Sequence, residues 1–388
     1  MELFRTSLEV VFWSSAALVL YAYALYPLVI LIASRLCGQS RCVALLADQE
    51  LPQLTLLIAA HNEQAVIGLR LQNALAMDYP PEKLQIIVTS DGSTDRTAEI
   101  VGGFASQGVQ LIHDADRRGK AARLNLAMPQ SRGEIVLFSD ANTFSEPQAA
   151  RRLVRWFHEP AVGAVCGRLI LTDPATGRNV DSMYWRYETF LKTCEARLGA
   201  LLGANGAIYA MRRERFVAIP NDTMVDDFVI PLLARLKSRC QIVYDADAIA
   251  TEETPPSMQS EFRRRARIGA GGFQSIGLLW KLLDPRQGWL AFSFFSHKVL
   301  RWCCPFFLIL LLASNLLLLH DPLYRVLLAI QVGFYSTSVL GMWLPGSGRV
   351  ARSIRLTTMF TSMNLALLVG FFRWLSGQQR GVWQRTSR

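Results

Sequence analysis

No Cys-x-x-Cys pair occurs among the seven cysteines, and they show no ligand-like clustering. Adjacent Cys303 and Cys304 lie inside an apolar run, so free thiols in a reducing compartment fit this usage best. Charge is scarce too. Only 19% of the 388 residues are charged against 51% hydrophobic, which excludes a disordered chain, a collagen-like one and a small disulfide scaffold. No G-x-G-x-x-G turn follows the first strand-like run, which reads Ala59-Ala60-His61-Asn62-Glu63 instead, and no G-x-x-x-x-G-K-[ST] loop is present. A Rossmann dinucleotide domain and a P-loop are thereby excluded. Gly269, Gly271 and Gly272 follow an arginine run rather than a strand, and there is no internal repeat or low-complexity stretch.

What is present is apolar and basic together. Mean hydropathy is +0.22, and Lys+Arg 41 against Asp+Glu 31 leaves +10. The length has room for two or three domains at about 100–200 residues each. The combination points to a membrane protein with a cationic face toward anionic lipid or an anionic substrate. Because the cations are mostly juxtamembrane and no zinc-finger or RNA-binding signature appears, nucleic acid is not expected as a partner.

Val10–Ala33 runs 24 residues without a charge, enough to cross about 30 Å of hydrocarbon. Its flank of Glu2, Arg5 and Glu9 is a poor signal-peptide start, so an anchor is expected rather than a cleaved signal. Three further spans are expected near Trp302–Leu319, Val326–Leu344 and Leu356–Leu375, with Arg373 snorkelling from the last. Ile276–Phe295 carries Trp280, Trp289, Phe292, Phe294 and Phe295 beside Lys281 and Arg286, broken at Asp284-Pro285, and reads as helices lying in the interface. Arg35 and Arg41 after the first span, and Arg349, Arg352 and Arg355 between the last two, place the intervening polar block in the cytoplasm. The tail Arg380, Arg385 and Arg388 would then fall outside, so the final segment is re-entrant or interfacial if that rule holds. The expected division is a 1–40 anchor, a 41–268 cytoplasmic domain, 269–298 interfacial helices and a 299–388 membrane region, in a bacterial inner or plasma membrane.

Within the polar block, strand-like runs alternate with helical patterns. Leu54–Ala60 precedes a helix near Glu63–Ala76, and Leu84–Thr89 one starting near Asp95. Val109–His113 precedes Lys120–Met128, and Ile135–Phe138 precedes Pro147–Phe157. This alternation predicts an α/β domain with a mostly parallel sheet covered on both faces, its ligands outside the carboxyl ends of the strands. Three polar clusters fall at those ends: His61-Asn62-Glu63, Ser90-Asp91-Gly92-Ser93 and Ser139-Asp140-Ala141-Asn142.

Each cluster has two readings. Asp140 and Asn142, two apart on one strand face, offer hard oxygen ligands for Mg2+ or Mn2+, or Asp140 caps the next helix. Asp91 to Asp95 is a turn with a helix cap, or Asp91 is a rim carboxylate accepting from a base or ribose. Asp226-Asp227 opens a helix; one acid suffices as a cap, and the other is a usable general base. Arg263-Arg264-Arg265-Ala266-Arg267 anchors to lipid, or offers guanidinium forks to a diphosphate.

In this order and with these flanks, the clusters resemble the membrane-bound family 2 glycosyltransferases, the group that holds the synthases of cellulose, chitin-type oligosaccharides, hyaluronan and poly-N-acetylglucosamine. The resemblance implies an α/β GT-A (nucleotide-diphospho-sugar transferase) domain with N- and C-terminal transmembrane helices and interfacial helices. It implies donor binding by Ala60, Asn62, Glu63, Asp91, Lys120 and Asp140, with Asn125 following Lys120 in the same motif. It implies an acceptor loop at Gly203-Ala204-Asn205-Gly206, and a divalent metal, Mg2+ or Mn2+, at Asp140 and Asn142. Asp227 becomes the general base beside Asp226, with Arg264 and Arg267 assisting the leaving diphosphate. The implied reaction is an inverting transfer from a nucleotide-sugar donor, a UDP-sugar by analogy, to a glycan or lipid-linked acceptor. Polysaccharide export or assembly partners go with such synthases.

Two positions depart from the family's pattern. Asn142 replaces the second Asp of the metal motif, and the Gln-x-x-Arg-Trp signature reads Arg264-Arg265-Ala266-Arg267-Ile268. The arginine is kept and the tryptophan of the acceptor platform is not, so single addition to a lipid-linked acceptor stands beside processive synthesis. A non-catalytic GT-A scaffold is the reading from another class. The joint presence of Asp91, Asp140 and Asp227 argues against it.

Overall fold

The computed structural model describes residues 2–173, 183–254, 258–341, 348–378 and 381. The chain parts into two compact units, one chiefly Ile30–Pro256 with Gly277–Ser293, the other Met1–Val29, Ser257–Ile276 and Phe294–Gln379.

The first unit is built on an eight-stranded sheet among the described residues. Its strands are β1 Leu54–Ala60, β2 Leu84–Asp91, β3 Val109–Asp114, β4 Ile135–Asp140, β5 Thr143–Ser145, β6 Val162–Thr172, β7 Tyr209–Arg212 and β8 Gln241–Glu253. They lie in the order β3-β2-β1-β4-β7-β6-β8-β5. Every residue of β1 is buried, as a central parallel strand covered on both faces requires, and this is why it reads as an unbroken apolar run. Leu54, Leu56, Ile58 and Ala60 join one core cluster with Ile67, Leu71 and Ala74 of the following helix, Ile67–Leu75. Helices Thr97–Gly102, Lys120–Ala127 and Ala149–Val154 follow β2, β3 and the β4–β5 pair, each within a few residues of its expected start.

The sheet is mixed rather than mostly parallel. Antiparallel β7 separates β4 from β6, and β5 runs antiparallel to β8. The parallel half positions the site: Ala60 sits beside Ser90, and Ala59 beside Asp140. The carboxyl ends of β1, β2 and β4, and with them the three polar clusters, therefore share one edge.

Among the described residues, four helices are long and apolar enough to cross a membrane: Glu2–Leu36, Trp289–Leu317, Pro322–Leu340 and Ser353–Leu375. The first contains the expected Val10–Ala33 span, with a π-helical turn at Tyr21–Leu25. Trp289, Phe292, Phe294 and Phe295 of the expected interfacial stretch lie on a helix that runs on to Leu317. Upstream, Trp280–Leu283 and Pro285–Gln287 are single 3-10 turns. Likewise Met258–Leu278 is one α-helix, so the expected boundary at 268/269 falls inside it, and the compact units part at Pro256 instead. Of the expected third span, 342–344 lie outside the described residues, as do the tail arginines Arg380, Arg385 and Arg388 and the side chains of Arg349 and Arg352.

Polar side chains tie the spans together. Tyr21 Oη and Ser296 Oγ are 2.8 Å apart, Asn364 Nδ2 donates to Tyr23 Oη at 3.1 Å, and Arg301 lies over the Tyr23 ring at 5.3 Å. In an apolar surround such contacts satisfy groups that lipid cannot. Helix packing is close where glycine allows it. A Cβ on Gly370 would meet Ala266 O at 2.5 Å and Ala270 N at 2.7 Å, both backbone, whereas one on Gly277 meets nothing within 4 Å. Gly370→Ala is therefore expected to lower the thermal midpoint of the purified chain, by about 1–3 kcal/mol of overpacking. Gly277→Ala leaves it unchanged or raises it, and equal midpoints for the two would contradict the packing described.

Candidate active site

The loops after β1 and β2 are clasped together by side chain-to-backbone bonds. His61 Nδ1 donates to Asp91 O at 2.6 Å. Asn62, held at φ 55, donates its N–H to Ser93 Oγ at 3.1 Å and accepts from the Thr94 N–H at 2.8 Å. Glu63 N–H donates to Thr97 Oγ1 at 2.7 Å. Asp95, not Asp91, bonds the start of the next helix, its Oδ1 accepting from the Thr97 N–H at 3.0 Å. The Asn62 side-chain oxygen is thus a clasp between two loops.

Asp91 has a different task. Its carboxylate is 1% exposed and accepts from Arg118 N–H at 2.7 Å, Gly119 N–H at 3.0 and 3.1 Å, and Arg123 Nε at 3.0 Å. Arg123, equally buried, also donates to Asp114 Oδ2 at 2.9 Å and Asp116 O at 2.8 Å. The carboxylate expected to meet a nucleoside is therefore engaged inside the chain, where it folds the 114–119 loop into position ahead of Lys120. Gly92 at φ 59 is needed for the same turn, since a Cβ would stand 2.9 Å from Arg117 N.

The chemistry gathers around Lys120. Its Nζ lies 2.7 Å from Asp140 Oδ1 and 3.4 Å from Asp226 Oδ2. A Cβ on Gly206 would stand 3.2 Å from Asp227 Oδ2 and 3.4 Å from Lys120 Nζ, so Gly206, Asp227 and Lys120 form one wall. Gly206 N–H donates to Asp227 Oδ2 at 2.8 Å, and both acids sit in the first turn of helix Asp226–Ser238, where the helix dipole favours negative charge. Burial alone would lower the Lys120 pKa, but Asp140, Asp226 and Asp227 outweigh it and hold the ammonium above its ordinary value. Burial raises the Asp226 carboxyl from 3.8 to about 6, opposed by Lys120 and helped by Asp227 and Asp140. Beneath Asp140, the fully buried Arg70 donates to Ser139 Oγ at 3.2 Å, and burial lowers its pKa to about 10.

The remaining expected residues divide. Gly203, at φ 76, packs against the start of the same helix, where a Cβ would meet Phe228 Cα at 2.9 Å. Asn205 accepts from Lys192 Nζ and donates to Gly167 O at 3.1 Å, so its amide fixes the loop from behind. Asn142 donates its amide N–H to Glu252 Oε1 at 3.0 Å, which leaves its Oδ1 as its ligating atom. Arg264 and Arg267 belong to the other unit, on Met258–Leu278, with Arg264 Nη1 3.9 Å from Glu261 Oε2. Arg123, Arg70 and Tyr209 were not singled out by sequence, because a buried arginine inside a helix pattern looks the same as a solvated one.

Among the described residues no three His, Cys, Asp or Glu side chains form a metal cage. What the cluster offers is Asp140, a third exposed at its side chain, and the buried Asp226 Oδ2, which has no hydrogen-bond partner. One partly exposed carboxylate beside a buried one fits a hard divalent ion shared with substrate phosphates.

Residues 55–217 match the profile of Glycosyl transferase family 2. Over 297 residues, 73% of its length, the chain is 27% identical to the beta-monoglucosyldiacylglycerol synthase of Synechocystis sp.. Over 240 residues, 58% of its length, it is 27% identical to the poly-beta-1,6-N-acetyl-D-glucosamine synthase of Staphylococcus aureus. It spans 61% and 56% of the lengths of these two relatives. A mannosyltransferase of Pyrobaculum calidifontis, solved with GDP-Man and Mn2+, shares the GT-A fold at a TM-score of 0.72, covering 96% of this chain and 99% of that one at 21% identity.

Two outcomes follow from this geometry. Arg123→Leu strands the buried Asp91 carboxylate and is expected to remove about 3–5 kcal/mol, read as loss of the monodisperse peak in size-exclusion chromatography. For Asp226, the folded carboxyl keeps a proton that the unfolded chain has released, so its contribution to stability falls as pH rises through the window between 3.8 and about 6. Asp226→Asn should raise the thermal midpoint at about pH 7 and converge on wild type near pH 4; a lower midpoint at neutral pH would contradict the burial argument.

Proposed function

We propose that this chain, whose residues 55–217 match the glycosyl transferase family 2 profile and which shares the GT-A fold, transfers a sugar, with inversion, from a UDP-sugar or similar nucleotide-sugar to a glycan or lipid-linked acceptor. The observation that carries this reading is the Asp226-Asp227 pair held against Lys120 and Gly206 at the edge where β1, β2 and β4 end. One Asp227 oxygen takes the Gly206 N–H, which aims the other at an acceptor hydroxyl. As that hydroxyl oxygen forms its bond to the anomeric carbon, its proton passes to Asp227, and the bond from that carbon to the phosphate oxygen breaks with its electron pair going to the diphosphate. An α-linked donor so yields a β-linked product. Lys120 takes up charge left on the diphosphate. Asp140, with Asn142 Oδ1, would hold the Mg2+ or Mn2+, which when bound supplies further neutralisation of the leaving group. The clasped loops at Ala60, Asn62, Glu63 and Asp91 form the nucleoside end of the cleft.

Ile268 in place of the family's tryptophan favours one or a few additions over long-chain synthesis, and one relative is by name a glycolipid synthase. The four candidate spans support a membrane enzyme. The Arg35, Arg41 and Arg355 flanks support a cytoplasmic catalytic domain at a bacterial inner membrane.

The test is a donor panel on detergent-purified protein with Mn2+ or Mg2+ and added membrane lipid. Nucleoside diphosphate release is expected from one donor, abolished by a chelator, and reduced at least about 100-fold in Asp227→Asn. A one-sugar lipid product is the expected outcome, and a ladder of long products would overturn the single-addition reading. Release that survives Asp227→Asn undiminished would remove that residue as the base.

A further inference from the structure

Two buried side-chain oxygens beside the acid cluster lack a hydrogen-bond partner among the described residues, Asp226 Oδ2 and Tyr209 Oη. Tyr209 is fully buried in β7. Register sets it opposite Phe138 of β4, and the two rings stack at 4.5 Å and 3°. Phe138 and Asp140 are two residues apart on one strand, so both rise from the same face, and the Tyr209 ring lies on that face. Burial first, and then Asp226, Asp227 and Asp140, push the phenol well above its ordinary pKa, so the group remains an O–H donor. An unmatched buried hydroxyl costs about 1–3 kcal/mol, and phenylalanine would stack on Phe138 without that cost. Packing alone therefore gives no reason for the oxygen, which is buried without a partner on the sheet face from which Asp140 rises, while Asp226 Oδ2 beside it has only the Lys120 ammonium at 3.4 Å.

We propose that Tyr209 is a positioning residue whose hydroxyl takes hold of the Asp226 carboxylate when Lys120 turns to the diphosphate of the donor. This rests on the reading that the cluster receives a nucleotide diphosphate. Lys120 carries three N–H donors on a flexible stem, already shared between Asp140 and Asp226. A diphosphate brings new negative charge to the same ammonium, and the acid that Lys120 releases then needs another donor. Tyr209 is the neighbouring group that supplies one without adding charge, and it keeps Asp226 from swinging against Asp227, whose orientation depends on Gly206 N–H.

The experiment measures binding to the full-length protein by titration calorimetry with Mn2+, using UDP, GDP and, in competition, uridine and guanosine. Tyr209→Phe keeps the ring stack and is expected to leave the thermal midpoint unchanged or raised. Affinity for the matching nucleoside stays within about twofold, while affinity for whichever diphosphate binds wild type falls about tenfold, the worth of one hydrogen bond to a charged group. In an Asp226→Asn background the same change costs less than about twofold, because the carboxylate that needs the donor is gone. Equal diphosphate affinity in wild type and Tyr209→Phe overturns the proposal. So does an equal loss for nucleoside and diphosphate, or an undiminished loss in the Asp226→Asn background; in each case the site reading stands. Failure of wild type to bind either diphosphate overturns that reading, and the proposal with it.

Discussion

Three carboxylates share one edge of this sheet because an ammonium lies among them. Without Lys120, Asp140 and Asp226 would face each other in a buried setting with no opposite charge, and the acids would hold protons rather than stay ionised. With it, the cluster stays compact and anionic. The local backbone follows from that constraint. A Cβ at residue 206 would stand 3.2 Å from Asp227 Oδ2 and 3.4 Å from Lys120 Nζ, and the helix carrying the acid pair begins at Asp226, so that its free N–H end lies at the acids.

Lys120 in turn depends on an ion pair it does not touch. Asp91 and Arg123 are both almost fully buried, and the Asp91 carboxylate gathers the N–H groups of residues 118 and 119 immediately before Lys120. A buried pair of this kind adds little net stability relative to apolar residues, but breaking it leaves an uncompensated charge. Its value lies in specifying one loop conformation, and here that loop delivers the ammonium. One acid from the end of β2 builds the support, and another from the end of β4 faces the cleft.

Much of this was legible in the residues. Strands β1, β2 and β4 read as largely apolar runs because they are covered on both faces, and the polar clusters after them fell on one edge because parallel strands all end there. The second half of the sheet was not legible. β7 is four residues long, and β8 carries Asp245, Asp247 and Glu252, whose charges mask its strand character. Asp245 is tolerated in the interior by Arg155 and the Trp156 Nε1–H, a compensation that no local pattern announces. The continuity of the aromatic stretch at Trp289 with the helix ending at Leu317 was likewise not legible, because its composition suits an interface or a span equally.

By itself, then, the order of residues determined the alternation of strand and helix, the edge where three polar clusters gather, the identity of the acids there and the presence of membrane-length apolar runs. Each of these depends on periodicity or on adjacent residues, which a chain displays directly. The tertiary structure alone decided which acid bonds a helix start and which is buried as a support, that Lys120 bridges residues 20 and 106 positions away, and that Tyr209 is buried against Phe138 on the Asp140 side of the sheet. Those are matters of burial and of distance between segments remote in sequence, set by how the sheet orders its strands rather than by the residues next to each group.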